Sequence, residues 1–212
     1  MQFKAVLWDF GGVILSSPFE AFKQYEIDHG LPEDFIRSLN ATNPDTNAWA
    51  RFERSELSVD LFAEAFEAEA LAAGSAIDAR KVLGMLRGEI RPQMVAAIDA
   101  IKRAGLANAC LTNNFVAFED FPKNARADGR DALLAKFDFI VESSKVGVRK
   151  PDPRFYEIAC EALGVSPRDC VFLDDLGVNL KPAKAMGITT IKVVDPDVAL
   201  AELAGVLQMD LT

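Results

Sequence analysis

Carboxylates stand at two points where the chain leaves an apolar, strand-forming run. Asp9 follows residues 3–8 and precedes Phe-Gly-Gly-Val, where the chain must turn, and Asp174 with Asp175 follows residues 171–173. An aspartate in such a turn can attack phosphorus or carbon when a cation offsets the approaching negative charge, although a turn aspartate that caps its own backbone has the same pattern. The adjacent pair needs a cation close by, because neighbouring carboxylates at the end of a buried strand repel each other. Hard oxygen ligands of this kind predict a Mg²⁺ site that includes Asp9, Asp174 and Asp175.

Thr112 and Asn113, with Asn114 after them, follow the apolar run 109–111. A hydroxyl and a backbone amide at the end of a strand can bind a phosphate oxygen through short hydrogen bonds. The same residue types are common in ordinary loops, so it is their position after a predicted strand that favours a phosphate site.

Lys150 is presented from a rigid segment, Arg-Lys-Pro-Asp-Pro. Prolines on both sides of Asp152 restrict the backbone, and a lysine ammonium can neutralise a nucleophile and a phosphoryl group together. Most lysines are merely solvated, and only the flanking prolines favour a functional role here. Asn179, four residues after Asp175, can return from the next helix to hydrogen-bond the same site.

Strand-like runs alternate with helical segments, which predicts an α/β fold with a parallel sheet and helices on both faces. The predicted strands are residues 3–8, 107–111, 139–142, 170–173 and 189–194, and the predicted helices include 92–104, 153–163 and 180–186. Ligands of open α/β sheets bind beyond the carboxyl ends of the strands. The polar residues after the first, second and fourth strands therefore converge if those strands are neighbours.

The strand pattern disappears between Pro18 and Gly88, where apolar residues recur at spacings typical of amphipathic helices. We therefore expect a core domain formed by residues 1–16 and 89–212, and an all-helical insertion over residues 17–88. Residues 115–136 are polar and contain Pro122 and Gly129, so they are predicted to form a long irregular connection.

The overall charge restricts the choice of ligand. The 212 residues carry a net charge of −9, which disfavours nucleic acid and would repel an anionic substrate unless a metal or local cations offset it. No apolar run approaches the length of a membrane span and no signal peptide is apparent, so we expect a soluble, cytoplasmic protein. Three cysteines, Cys110, Cys160 and Cys170, lie in apolar segments and are expected to be core residues. The oligomeric state is not predicted.

Taken in order, the aspartate turn, the threonine, the lysine and the acidic pair resemble the four motifs of the haloacid dehalogenase superfamily over essentially the whole chain. The sequence is more closely similar to the amino-terminal phosphatase-like domain of soluble epoxide hydrolases and to the domain fused to some acyl-CoA dehydrogenases. Residues 111–114, 137–153 and 172–181 carry that similarity. The family implies a Rossmann-like core with a helical cap inserted after the first strand.

The resemblance implies a role for each motif. Asp9 would be the nucleophile that forms an aspartyl-phosphate, Thr112 and Asn113 would hold the phosphate, and Lys150 would steady the charges. Among the metal ligands, Asp175 would bind Mg²⁺ directly and Asp174 would assist directly or through water, with Asn179 supporting them. The backbone carbonyl of Gly11 would also bind the metal.

The chain departs from the family at Gly11, where phosphatases of this family carry a second aspartate. That side chain protonates the leaving group and later activates water, which contributes about 10²- to 10⁴-fold in rate. A substrate with a good leaving group, a water, or an acid from the insertion (Glu53 or Glu56) could substitute. His29 is another candidate, although its position near a probable helix end is more typical of a capping role.

Three functions follow from this pattern. The first is a Mg²⁺-dependent phosphatase of a small phosphorylated metabolite, which best explains the acidic pair. The second is a 2-haloacid dehalogenase, in which Asp9 attacks carbon without metal; relatives with that chemistry replace the acidic pair with small polar residues. The third is a module that binds phosphate or metal without catalysis, because Gly11 replaces the usual acid. Substrate selection is expected in the insertion, where Arg51 or Arg54 could face the site.

Overall fold

A five-stranded, fully parallel sheet forms the centre of the computed structural model, which describes residues 3–113 and 129–211. The strands are β1 (Ala5–Trp8), β2 (Ala107–Thr112), β3 (Phe139–Glu142), β4 (Cys170–Asp174) and β5 (Thr189–Lys192). Their order is β3-β2-β1-β4-β5, so β1 lies between β2 and β4. The three strands whose ends carry polar residues are therefore neighbours, and the predicted α/β fold with a parallel sheet is confirmed.

Helices pack on both faces of this sheet. Ala5 and Leu7 of β1 belong to one apolar cluster, to which α9 (Pro153–Leu163) and α10 (Gly177–Ala185) also contribute side chains. Val6 and Trp8 alternate to the other face, where α6 (Pro92–Arg103) and α11 (Pro196–Leu207) pack. All four β1 side chains are fully buried, as is typical of a central parallel strand. The three cysteines are buried, as the sequence predicted, and form no disulfide with one another.

The chain between β1 and α6 is helical. It forms α1 (Phe19–Asp28), α2 (Phe35–Ala41), α3 (Ala48–Glu53), α4 (Val59–Ala72) and α5 (Ala79–Gly84). Asn47, Ser58 and Asp78 cap α3, α4 and α5 by accepting a hydrogen bond from the first turn. The buried apolar residues of these helices form a cluster of their own, in which Phe62 stacks on Phe52. The division of the chain into a core domain and a cap domain stays a prediction.

Several element boundaries differ from the expected ones. Helix α10 begins at Gly177, three residues before the predicted start, and β4 includes Asp174. Residues 115–128 of the predicted irregular connection lie outside the described residues. Within the rest of that segment, Arg130–Leu134 forms a short helix, α7, so the prediction is wrong there; buried Leu133 packs against the core and holds this turn.

The remaining elements are short. Helix α8 covers Ser143–Val146, and 3-10 turns lie at Met85–Arg87 and Pro167–Asp169. Within residues 3–113 and 129–211, no helix has the length and apolar character that crossing a membrane requires.

Candidate active site

The chain leaves β1 at Asp9 and makes a wide turn over Phe10–Ile14, which the Leu15 amide closes by donating to the Phe10 carbonyl at 2.9 Å. Gly12 has a φ of +77°, and a Cβ atom there would overlap the Asp175 carboxylate. Gly11 has a φ of −73°, and a Cβ atom there would meet nothing within 4 Å. The missing side chain of Gly12 thus allows the turn to approach the acidic pair, whereas Gly11 faces open space.

The Arg91 side chain supports this turn by binding its backbone. Its Nη1 donates to the carbonyl of Gly12 at 2.8 Å and to that of Val13 at 3.1 Å. The Arg91 amide also donates to the Ile14 carbonyl at 2.9 Å. Arg91 was not expected from the sequence, where its position before the first proline of α6 gives no sign of this role.

Lys150 joins the nucleophile candidate to the acidic pair. Its Nζ lies 2.7 Å from Asp9 Oδ1 and 2.8 Å from Asp174 Oδ2. The three residues are buried, with 1%, 7% and 0% of Lys150, Asp9 and Asp174 exposed. Burial alone would lower the pKa of Lys150, but Asp174 and Asp9 more than offset this, and the lysine pKa lies well above its ordinary value. The two carboxylates therefore favour the charged form of Lys150.

The pKa of Asp9 is also raised, but for a different reason. Burial raises the pKa of Asp9 well above its usual value, and the Lys150 ammonium only partly offsets this while Asp174 and Asp175 add to it. The carboxylate is oriented by the Phe10 amide, which donates to Oδ1 at 2.6 Å. One ammonium does not balance the carboxylates around it, so the site attracts a further cation.

The Asp174 side chain is held by the start of α10. The Leu176 amide donates to Asp174 Oδ1 at 2.8 Å, and Asn179 Nδ2 lies 3.1 Å from both carboxylate oxygens. Tyr156 on α9 donates its hydroxyl to the Asn179 carbonyl at 2.7 Å. Asn179 therefore links α9 and α10 to the acidic pair. Tyr156 was not expected from the sequence, where it is one of several apolar positions on its helix.

Asp9, Asp174 and Asp175 bring three carboxylates to one point. One oxygen of each lies within 4.8 Å of the others. Burial and the neighbouring Asp174 charge raise the pKa of Asp175 to about 6. Clustered carboxylate oxygens of this kind suit Mg²⁺, which prefers hard oxygen ligands and binds few carboxylates. The residues present therefore fit the predicted metal.

Thr112 is the last residue of β2, and Asn113 follows it toward Lys150. The Asn113 side chain binds both polar groups of the Lys150 backbone: Nδ2 donates to the carbonyl at 3.0 Å, and Oδ1 accepts from the amide at 2.8 Å. Asn113 thus positions Lys150 through its side chain, and the phosphate contact predicted for its backbone amide stays a prediction. Asn114 lies outside the described residues.

A polar junction connects α3 to the segment that carries Lys150. Glu53 Oε2 lies 2.6 Å from Arg149 Nε, and Glu53 Oε1 accepts from Trp49 Nε1 at 2.9 Å. The Glu53 carbonyl accepts from Ser143 Oγ at 2.7 Å. Burial raises the pKa of Glu53, and Arg149 opposes this rise. The junction fixes Arg149, the neighbour of Lys150, against the helical insertion.

The other charged residues of the insertion that the sequence suggested for the site contact residues of the insertion itself. Arg54 Nε lies 2.6 Å from Glu56 Oε1, and Arg51 Nε lies 3.8 Å from Glu56 Oε2. The Arg54 hydrogen bond lowers the pKa of Glu56. His29 lies at the end of α1, where its Nδ1 is 2.8 Å from the Tyr25 carbonyl and its ring stacks on Tyr25.

Substitutions at the two adjacent glycines are expected to differ in their effect on stability. Gly12→Ala forces a side chain into the left-handed region and against Asp175, so we expect it to lower the free energy of unfolding by at least about 2 kcal/mol. Gly11→Ala has an ordinary φ and open space, and should change the free energy by less than about 0.5 kcal/mol. Urea unfolding without metal measures both. Equal losses from the two substitutions would contradict the close approach of Gly12 to Asp175.

Comparisons with known proteins agree on one family. A family model described as haloacid dehalogenase-like hydrolase matches residues 3–187. The chain is 34% identical over 217 residues to acyl-CoA dehydrogenase family member 10 of Mus musculus, with 99% of the chain matched. It is 31% identical over 215 residues to bifunctional epoxide hydrolase 2 of the same species, with 96% matched. The chain spans only 20% and 38% of these two relatives. A sesquiterpene phosphatase of Aspergillus oryzae is 28% identical, with 95% of each chain covered.

Solved structures support the fold. A dehalogenase in an intermediate complex matches with a TM-score of 0.68 and 20% identity, covering 99% of both chains. A HAD family enzyme of Bacteroides thetaiotaomicron, in complex with magnesium and inorganic phosphate, matches with a TM-score of 0.58 and 17% identity, covering 90% of this chain and 93% of that one. At sequence identities of 20% and 17%, these two matches show a shared fold and nothing further.

Proposed function

This chain belongs to the haloacid dehalogenase-like hydrolase family, and on that premise we propose that it is a Mg²⁺-dependent phosphatase of a small phosphorylated metabolite. The observation that carries the proposal is the meeting of Asp9, Asp174 and Asp175 within 4.8 Å. Attack on carbon by Asp9 needs no such cluster, whereas attack on an anionic phosphate needs a strong local positive charge. The phosphatase relative and the magnesium and phosphate complex named above are consistent with this choice.

In the proposed mechanism Asp9 Oδ2 is the attacking atom. Oδ1 already accepts from the Phe10 amide and pairs with Lys150, which leaves the second oxygen for the substrate. Oδ2 forms a bond to phosphorus, the bond from phosphorus to the leaving oxygen breaks, and an aspartyl-phosphate results. Water then attacks that phosphorus, and Asp9 leaves as a carboxylate. Lys150 would offset the charge of the Asp9 carboxylate before attack and that of the phosphoryl group in the intermediate.

Other residues would bind the substrate phosphate and the metal. The Thr112 hydroxyl and the Asn113 backbone amide would donate to the phosphate oxygens. Asp9, Asp175 and the Gly11 carbonyl would hold Mg²⁺, and Asp174, whose oxygens already bind Lys150 and Asn179, would assist directly or through water. Bound Mg²⁺ supplies the positive charge that a substrate phosphate requires in a chain of net charge −9.

Hydrolysis of a panel of phosphomonoesters, including an activated aryl phosphate, tests the proposal. We expect phosphate release with Mg²⁺ and none in excess chelator, and Asp175→Asn should raise the Mg²⁺ concentration for half-maximal activity by about 10- to 100-fold. Thermal unfolding with and without Mg²⁺ gives a readout that does not depend on turnover, because a ligand that binds the folded state stabilises it.

Two outcomes would overturn the phosphatase proposal. Halide release from a 2-haloacid in the presence of chelator would identify a dehalogenase. Stabilisation by Mg²⁺ or by beryllofluoride without hydrolysis of any ester would identify a module that binds but does not catalyse.

A further inference from the structure

Position 11 lies two residues after the proposed nucleophile and carries no side chain. Its φ of −73° suits any L-residue, and a Cβ atom there would meet nothing within 4 Å. A side chain is therefore sterically allowed at this point of the turn but is missing, in contrast to Gly12, where the Asp175 carboxylate excludes one. The open space beside Asp9 thus has no proton donor of its own.

The acids that could reach in from the insertion are engaged with other partners. Glu56 is exposed and paired with Arg54, and His29 is exposed at the end of α1 and bound to the Tyr25 carbonyl. Glu53 has one carboxylate oxygen on Trp49 and the other beside the Arg149 guanidinium. The contacts of Glu56 and His29 are local to the insertion, whereas Glu53 is buried against Arg149 and is the acid that a direct test must address.

The other polar and charged groups around Asp9 already have roles other than donating a proton to the leaving group. Lys150 is held between Asp9 and Asp174, and the acidic pair belongs to the proposed metal site. The Tyr156 hydroxyl donates a hydrogen bond to the Asn179 carbonyl. Across residues 3–113 and 129–211, the acids considered above thus each have another partner, and position 11 carries no acid.

We infer that this protein acts on phosphate compounds whose leaving group departs without a proton from the enzyme. These are phosphate esters of acidic hydroxyl groups, such as aryl and enol phosphates, and acyl phosphates. The inference rests on the proposed phosphatase function and narrows its substrate class. Alkyl phosphates, whose leaving alkoxides require protonation, are excluded as efficient substrates.

The reaction balances without a further co-reactant. Asp9 Oδ2 forms the bond to phosphorus, and the electron pair of the breaking bond leaves on the substrate oxygen as an aryloxide, enolate or carboxylate. Solvent protonates that anion where its basicity requires it. Water then adds to the phosphorus of the aspartyl-phosphate, and the Asp9 carboxylate leaves with its own electron pair. The proton of the attacking water passes to solvent or to the phosphate product.

The test is a series of substituted phenyl phosphates, extended with acetyl phosphate at one end and an alkyl phosphate at the other. The quantity to follow is kcat/KM, because it reports the step in which the leaving group departs, even where hydrolysis of the aspartyl-phosphate limits kcat. We expect kcat/KM to fall by at least about 100-fold as the leaving-group pKa rises from about 7 to about 10. A nearly constant kcat/KM across the series would overturn the inference and leave the phosphatase function intact. No turnover of any compound would overturn both.

Variants at position 11 identify the missing group. Gly11→Asp should raise kcat/KM for the poorest leaving groups by about 10²-fold and change it little for the best, whereas Gly11→Asn, of the same shape but without an acid, should give no such gain. Lack of any gain from Gly11→Asp, with folding confirmed by urea unfolding, would overturn position 11 as the site of the missing acid.

Glu53→Gln separates a structural role from proton donation. If Glu53 only joins α3 to Arg149, its loss should alter kcat/KM by the same factor for every leaving group. A selective loss on poor leaving groups would show that Glu53 supplies the proton, and would overturn the inference.

Discussion

Asp9→Asn is expected to lower the rate of phosphate release by at least about 10³-fold for every ester that the wild type hydrolyses. An amide cannot replace the carboxylate as nucleophile. The substitution keeps the size of the side chain and an oxygen that can accept from the Phe10 amide, which donates to Asp9 Oδ1 at 2.6 Å. We therefore expect the variant to fold. Steady-state kinetics with saturating Mg²⁺, together with urea unfolding of the same preparation, measure the two effects separately.

A trapped intermediate gives direct evidence for the same step. Acid quenching during turnover of an activated aryl phosphate should leave a phosphoryl group on the peptide that contains Asp9, detected by mass spectrometry. The Asp9→Asn variant should show none. Asp28→Asn, an exposed aspartate at the end of α1, is the matched control and should retain both the adduct and the activity. An Asp9→Asn variant that keeps more than about a tenth of the activity would rule out covalent catalysis by this residue.

The placement of the candidate site follows from patterns that a sequence carries locally. Each apolar run that becomes a strand ends in a polar residue, and parallel strands present their carboxyl ends on one edge of the sheet. Once β1 lies between β2 and β4, Asp9, Thr112 and Asp174 must be neighbours. The fold class could therefore be predicted without coordinates, and the convergence of these residues followed once the structure gave the strand order.

The contacts that orient the site could not be predicted in the same way. Arg91 binds a carbonyl 79 residues away, and Asn113 binds the backbone of a residue 37 positions later. Neither contact leaves a periodic or local signal, because each depends on how separate elements pack. The Glu53–Arg149 junction is similar: both residues were visible as charges, but only the packing of α3 against the core pairs them.

Lys150→Met is expected to destabilise the protein strongly in the absence of metal. It removes the only partner cation found within ion-pair distance of Asp9 and Asp174 in the described part of the chain and leaves both carboxylates buried. Breaking a buried ion pair by removing one partner costs about 3–5 kcal/mol. Urea unfolding in chelator measures this loss. Lys184→Met, at an exposed position on α10, is the control and should change the free energy of unfolding by less than about 0.5 kcal/mol.

The loss of stability in Lys150→Met should depend on pH, and the sign of that dependence follows from the pKa shifts. The pKa of Lys150 is raised in the folded state, so its contribution to stability is fully present below the unfolded value of about 10.4 and declines only above it. In Lys150→Met the pKa of Asp9, already raised by burial, rises further because the ammonium that lowers it is gone. Folded wild type and folded variant both retain a proton on Asp9 that the unfolded chain loses above about pH 3.9, but the variant retains it to a higher pH. The deficit of the variant in free energy of unfolding therefore grows once pH rises through the raised pKa of wild-type Asp9.

A double substitution tests whether uncompensated charge is the cause. Asp9→Asn in the Lys150→Met background removes one of the two buried carboxylates, so it should recover part of the lost stability at neutral pH and flatten the pH dependence. If the variant loses only the packing around the lysine stem, the decrease in its free energy of unfolding should be independent of pH and unaffected by Asp9→Asn. Recovery in the double variant, with no return of activity, would separate the electrostatic role of Lys150 from the nucleophilic role of Asp9.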